Sequence, residues 1–173
     1  MTPSKTDRYL QILIGALLVV LVAVILHTMR DRVIEVGDPA PDFSVQTDGG
    51  VTMSPSDFGG RVLVLNFWAT WCPPCIEEFP SLSAMQDRLK GEGVVVLGVS
   101  VDEDEAVYQR FLEQHSVSFS TARDPEARIS ADFGTFRYPE TYIIDSGGQV
   151  VRKIIGPTVW TGDPMISYIR SLL

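Results

Sequence analysis

Residues 66–75 read Asn66-Phe67-Trp68-Ala69-Thr70-Trp71-Cys72-Pro73-Pro74-Cys75, and they hold the only two cysteines of the chain. The apolar run Val62–Phe67 leads into them and predicts a buried strand; Cys72 then opens a helix. The amino end of a helix favours negative charge, because its first N–H groups are unpaired and the peptide dipoles point positive there. A thiolate is the nucleophile in disulfide exchange, so that position activates Cys72. Three residues along a helix is about 60° around its axis, which sets Cys75 beside Cys72 and lets the pair close a disulfide.

Two plainer readings compete. Zinc usually takes four ligands, and the chain offers no further cysteine and only two histidines, His27 and His115. A purely structural disulfide over so short a loop would restrict the unfolded chain little. A redox-active dithiol accounts for the pattern best, and no cofactor or metal is expected.

At the amino end, the polar stretch Met1–Arg8 precedes Tyr9–Leu26, and within Leu10–Leu26 only Gln11 is polar. That run matches the lower bound of roughly 17 residues for crossing a bilayer. No small-residue cleavage site follows it; the next residues are His27-Thr28-Met29-Arg30. The expectation is an uncleaved signal-anchor over residues 9–27, with a cleaved signal peptide as the alternative. Residues 1–8 form a cytoplasmic tail, residues 28–36 a linker, and residues 37–173 an extracytoplasmic domain. The positive-inside signal is weak, since Lys5 and Arg8 on one side face Arg30 and Arg32 on the other. Fully extended, the ten residues from His27 to Val36 reach roughly 33 Å, so the domain works close to the membrane.

Residues 33–173 carry 10 Lys and Arg against 20 Asp and Glu, a net charge of −10. Such a surface excludes nucleic acid and electrostatic docking on anionic lipid. A single cysteine pair suits an extracytoplasmic domain built without a disulfide scaffold.

Further along, Phe43–Gln46 and Val51–Met53 flank a predicted hairpin turn, Thr47-Asp48-Gly49-Gly50. Arg61–Trp68 and Val94–Ser100 read as buried strands. Pro73–Lys90 reads as a helix with Ile76, Phe79, Leu82, Met85 and Leu89 at helical spacing, bent at Pro80. A second helix is expected over Asp104–His115, a short strand over Val117–Ser120, and a short helix over Pro125–Asp132. A second hairpin joins Thr141–Asp145 to Val150–Ile155, and Asp163–Leu173 closes the chain as a helix. Alternation of strands and helices implies parallel pairing, and the late hairpin adds antiparallel strands.

This order, with Pro39-Ala40-Pro41-Asp42-Phe43, the WCPPC segment, Glu78-Phe79-Pro80, Gly98-Val99-Ser100-Val101-Asp102 and Tyr138-Pro139-Glu140-Thr141, resembles the thioredoxin fold. More closely, it resembles the membrane-anchored TlpA/ResA-type thiol-disulfide oxidoreductases, over roughly residues 36–172. The fold expected is α/β, a central mixed sheet flanked by helices, with an N-terminal hairpin extension and an N-terminal transmembrane helix. The resemblance implies that Cys72 attacks and Cys75 resolves. It implies that Pro139 is cis, leaving the Tyr138 backbone free to pair with a cysteine-containing peptide, with Trp71 as a further substrate contact.

Glu78 falls about 60° around the helix from Cys75. A carboxyl there can shuttle the thiol proton, and by like charge it raises thiol pKa. Thioredoxin itself uses a buried aspartate on the preceding strand, where this chain has Asn66; the TlpA/ResA-type reductants are similar to this chain in both respects. Glu140 is a weaker candidate, and Asp102-Glu103-Asp104-Glu105 reads as a helix-start charge cluster.

The resemblance implies reduction of a disulfide in an exported protein, such as apocytochrome c, with electrons returned by a membrane-embedded or other thiol donor. The place is the cytoplasmic membrane, single-pass, with the catalytic domain on the periplasmic or other extracytoplasmic side and the bilayer contacted through the N-terminal helix. Two rivals share the fold. A peroxidase of the peroxiredoxin kind would need Pro at 65 and Thr at 69, where the chain has Leu65 and Ala69. A copper-binding module of the Sco kind spaces its cysteines one residue wider and adds a distal histidine, and none follows His115.

Overall fold

The computed structural model describes residues 5–28 and 33–173, which form two compact units divided at Arg32. The first is a single helix, α1 (Lys5–Thr28). Over Arg8–Ile25 it is long and apolar enough to cross a membrane, and the side chains of that span are exposed. Residues 1–4 of the expected tail and 29–32 of the expected linker lie outside the described residues.

The second unit opens with a small hairpin, β1 (Val45–Gln46) and β2 (Thr52–Met53), and a single 3-10 turn at Pro55–Phe58. Then come β3 (Val62–Trp68), α2 (Pro73–Leu89), β4 (Val94–Ser100), α3 (Glu105–Gln114), β5 (Ser120–Arg123) and α4 (Arg128–Asp132). The chain ends with β6 (Glu140–Ile144), β7 (Val150–Ile155) and α5 (Asp163–Arg170). The main sheet has the order β5-β4-β3-β6-β7. β3, β4 and β5 are mutually parallel, whereas β6 runs antiparallel to both β3 and β7. This is the mixed sheet of a thioredoxin-like domain.

Period-2 alternation divides the core into two layers. Val62, Val64, Trp68 and Ile143 face α2, α3 and α5, while Leu63, Leu65, Phe67 and Tyr142 face α4 and the segment 34–58. A strand covered on both faces reads as a continuous apolar run, and all seven residues of β3 are buried. The second layer reaches further back than expected. Ile34, placed in the linker by sequence, is buried there, and its N–H donates to the Phe133 carbonyl at 3.1 Å.

Two boundaries differ from the sequence reading. β5 lies at 120–123 rather than 117–120, because Phe119 is a core side chain and the strand's own inward residues, Thr121 and Ala122, are small. The helix expected from Pro125 starts only at Arg128. Ala127 sits at φ 51°, and the Asp124 carboxylate accepts from the N–H groups of Arg128 and Ile129 at 3.1 and 2.8 Å. α2, by contrast, runs as one helix through Pro80.

Gly98 of β4 is tightly covered by α2's layer. A Cβ there would lie 2.8 Å from the Phe119 ring and 3.1 Å from the Trp68 indole nitrogen. Phe119 is in turn held edge-on by Phe79, with centroids 5.4 Å apart. Gly98→Ala should therefore destabilise the domain by about 1–3 kcal/mol through overpacking, read as a lower midpoint in urea unfolding; an unchanged midpoint would refute this account of the packing.

Candidate active site

β3 ends at Trp68, and residues 69–72 turn the chain into α2 at the carboxyl edge of the sheet. Cys72 caps α2, and its carbonyl accepts from the N–H groups of Cys75 and Ile76 at 3.0 and 3.3 Å. Pro73 occupies the first helical position, where a missing N–H costs nothing. Cys72 and Cys75 form a disulfide, S–S 2.05 Å, with Cys72 nearly buried and Cys75 wholly so. The outer sulfur thus belongs to the helix end and the inner one to the core.

The turn is held from β4. Asp102, just beyond β4, is buried and accepts from the Thr70 N–H at 2.8 Å, the Thr70 hydroxyl at 2.6 Å and the Ser100 hydroxyl at 2.5 Å. The backbone N–H of Val101 donates to the Trp68 carbonyl at 3.0 Å. Asp102 therefore fixes Thr70, the residue that precedes Trp71. The sequence reading places it in a helix-start charge cluster; at the start of α3 stand instead Asp104, which accepts from the N–H groups of Ala106 and Val107, and Glu105 in the first turn. The detectable signal was the even register Ser100, Asp102, which continues the buried face of β4.

On the opposite flank, β6 runs antiparallel to β3, so it begins where β3 ends. This brings Tyr138 and Pro139 to the dithiol. The Tyr138–Pro139 bond is cis, and the Pro139 carbonyl accepts from the Gly156 N–H at 2.8 Å. Trp71, largely exposed, meets Tyr138 edge-on with centroids 5.9 Å apart. Trp71, Cys72, Pro73, Pro74, Phe136, Arg137 and Tyr138 line one surface groove. Phe136 and Arg137 were not singled out in the sequence; Phe136 is 70% exposed and the Arg137 guanidinium lies 5.3 Å from its ring.

Glu78 lies one turn beyond Cys75 on α2 and is 3% exposed. Its Oε1 accepts from the Asn66 side-chain amide at 2.8 Å. Its Oε2 accepts from the Thr158 N–H at 3.1 Å and the Trp160 indole N–H at 3.2 Å. Burial pushes the Glu78 carboxyl above its ordinary pKa, and the three donors from Thr158, Trp160 and Asn66 oppose that rise only in part. Glu140, also buried, is engaged otherwise: its Oε1 accepts from the Tyr142 hydroxyl at 2.6 Å and faces the Lys153 ammonium at 3.4 Å. It sits on the other face of the sheet, with Tyr142.

A buried disulfide at a helix start, flanked by an open surface groove and backed by a carboxyl, defines a thioredoxin-like thiol-disulfide oxidoreductase. Comparison with known proteins agrees. The AhpC/TSA family profile matches residues 36–153. The thiol-disulfide oxidoreductase ResA of Bacillus subtilis (strain 168) is 31% identical over 158 residues, covering 88% of this chain and 88% of that one. ResA of Oceanobacillus iheyensis is 32% identical over 180 aligned positions, covering 98% and 91%. A crystal structure described as the thiol:disulfide interchange protein DsbE, from Chlorobium tepidum, is 31% identical over 80% of this chain and 98% of that one, with a TM-score of 0.74. The chain belongs to the AhpC/TSA family and, within it, to the ResA-type thiol-disulfide oxidoreductases. The peroxidase positions 65 and 69 are held here by Leu65 and Ala69, both fully buried.

The raised pKa of Glu78 has a consequence for stability. Folding favours the protonated carboxyl, so the native state binds more protons than the unfolded chain between the ordinary carboxylate range and the raised value. Stability is lost as pH rises through that window. Glu78→Gln, which cannot ionise, should gain stability on the wild type from pH 4 to pH 8 in urea unfolding; a pH-independent difference would show that burial does not perturb this group.

Proposed function

We propose that the protein reduces disulfides of exported proteins, with Cys72 as attacking and Cys75 as resolving cysteine. The observation that carries this reading is the asymmetry of the pair: Cys72 caps α2 at the groove, and Cys75 is wholly buried one turn from Glu78. In the reduced form, the Cys72 thiolate, favoured by the helix terminus, attacks one sulfur of the target disulfide. A mixed disulfide forms and the other target sulfur leaves as a thiolate. Glu78 takes the proton of the Cys75 thiol, and the Cys75 thiolate attacks the Cys72 sulfur. The second target thiolate departs, and two electrons have passed from enzyme to target. A thiol donor must then reduce the Cys72–Cys75 bond again.

The target segment lies in the groove beside Trp71, paired with the Tyr138 backbone ahead of Pro139. α1 anchors the domain in the cytoplasmic membrane, residues 1–8 remain in the cytoplasm, and the catalytic domain faces outward. Support for the anchor is the length and apolar character of Arg8–Ile25 and the 98% coverage by the Oceanobacillus relative, which takes in this segment. The net charge of −10 over residues 33–173 leaves nucleic acid without an electrostatic footing. Apocytochrome c is one exported target consistent with the reading.

Cysteine variants test the order of events. Cys75→Ser should accumulate a mixed disulfide with target through Cys72, and Cys72→Ser should form none; trapping through Cys75 instead would reverse the roles. Glu78→Gln should slow resolution by about a hundredfold, the usual scale of one proton-transfer catalyst, and the wild-type rate should fall as pH drops through the raised Glu78 pKa. Direction is read from the reduction potential in thiol buffers at pH 7. A value near thioredoxin's, about −270 mV, fits a reductant, whereas one near about −120 mV, that of the oxidant DsbA, would make the protein a disulfide donor.

A further inference from the structure

Glu78 is a buried carboxyl approached by three neutral donors and, among the described residues, by no cation. The donors are unevenly shared. Oε2 receives two N–H groups that can only donate, the Thr158 backbone and the Trp160 indole. A proton on Oε2 would meet them head-on and displace one. Oε1 receives a single partner, Asn66 Nδ2, and that partner is of a different kind.

A side-chain amide presents donors at one end and an acceptor at the other. In the orientation described, Asn66 Nδ2 donates to Glu78 Oε1 and to the Thr141 hydroxyl, both at 2.8 Å. Its Oδ1 is buried and has no partner. Turned by half a revolution about its terminal torsion, the amide would present Oδ1 to the same two groups. Oδ1 would then accept from a protonated Oε1 and from the Thr141 hydroxyl, which can donate as readily as accept. One end of the amide is orphaned in either orientation, so the charge on Glu78 decides between them. With a carboxylate, the donor end is favoured; with a carboxylic acid, the acceptor end.

We propose that Trp160 and the Thr158 backbone reserve Oε2 as a permanent acceptor and so place the exchangeable proton of Glu78 on Oε1, where the Asn66 amide turns over to receive it. The proposal rests on the reading of Glu78 as proton acceptor. Asn66 and Trp160 are then positioning residues that act through Glu78. The proton balance is simple: the Cys75 thiol loses a proton, the Glu78 carboxylate gains it at Oε1, and the amide turn moves no proton at all.

Surroundings on this face leave Glu78 as the group that titrates opposite the thiols. Its own helix presents Cys72 and Cys75, and Glu77 points to solvent. β3 presents Asn66, β6 presents Thr141, and the segment before α5 presents Thr158 and Trp160, none of them charged. Glu140 and Lys153 pair on the far side of the sheet. An aspartate at 66 could match only a protonated Glu78 without like-charge repulsion; the amide matches both states.

The test is a pH titration by NMR of the isotope-labelled full-length protein, reduced and in detergent micelles. It follows the Glu78 carboxyl carbon, the Asn66 side-chain amide and the Trp160 indole N–H. The Asn66 amide signals should move with the Glu78 midpoint and exchange their through-space contacts to Thr141, while the indole N–H stays bonded at both ends of the titration. Trp160→Phe keeps an aromatic ring and removes a donor to the ionised form, so the midpoint should rise by about one pH unit. Asn66→Asp, nearly isosteric, should raise it as well, by like charge, and abolish the turnover. An unchanged midpoint in Trp160→Phe, or an Asn66 amide indifferent to the titration, would overturn the proposal. None of these readouts uses activity. Normal resolution by Glu78→Gln would defeat the proton-acceptor reading, while the titration would still show where the proton sits.

Discussion

The constraint on which the molecule depends is that β3 is buried from end to end between two side-chain layers, with β4 parallel on one side and β6 antiparallel on the other. A strand so enclosed can release the chain only at the sheet's edge. The turn at 69–71 therefore has to lie there, and the helix that follows has to start with its amino terminus at that edge. Opposite strand directions then bring the rest of the site to the same place. β4, parallel to β3, ends beside the turn and supplies Asp102. β6, antiparallel, begins there and supplies Tyr138 and Pro139. Pieces separated by more than sixty residues of sequence meet because of strand polarity, a consequence of topology rather than of any local motif.

Three buried carboxylates show how differently one domain can satisfy the same costly group. Glu140 faces a lysine and a tyrosine hydroxyl. Asp102 collects hydroxyl and backbone donors from the turn it holds. Glu78 likewise collects three neutral donors, from β3 and from the segment before α5. Neutral donors offset desolvation only in part, and the Glu78 carboxyl accordingly sits above its ordinary pKa. Of the three, Glu78 is the one beside the dithiol on α2.

Much of this was legible in the sequence, for identifiable reasons. β3, β4 and α2 carry long, strongly periodic apolar patterns, and the cysteine pair marks the turn between them, so fold and dithiol were read together. Glu78 was found because a helix fixes angular position from spacing alone. Asp102 was missed because a run of four acidic residues looks like a solvated helix start; its even register with Ser100 is a faint local cue beside the pairing with Thr70, 32 residues away. Trp160 was missed because a tryptophan in a loop has no periodicity to orient it, and its partner lies 82 residues back. β5 was displaced because its inward residues, Thr121 and Ala122, are small, so the stronger apolar signal comes from Val117 and Phe119, before the strand begins.

The two sulfurs of the CxxC pair are chemically identical, and position alone separates them. Cys72 stands at the helix terminus, where the dipole favours a thiolate, and lines the surface groove. Cys75 stands a turn inside, wholly buried, where an ionised Glu78 would oppose a second thiolate by like charge. On the proposed reading, that opposition keeps the inner sulfur protonated until its proton can pass to the carboxyl itself. The carboxyl that raises the barrier to an early thiolate is then the base that removes the proton when the mixed disulfide is ready to resolve. Attack and resolution are kept apart by one helical turn, because the helix dipole acts at its end and Glu78 acts from beneath.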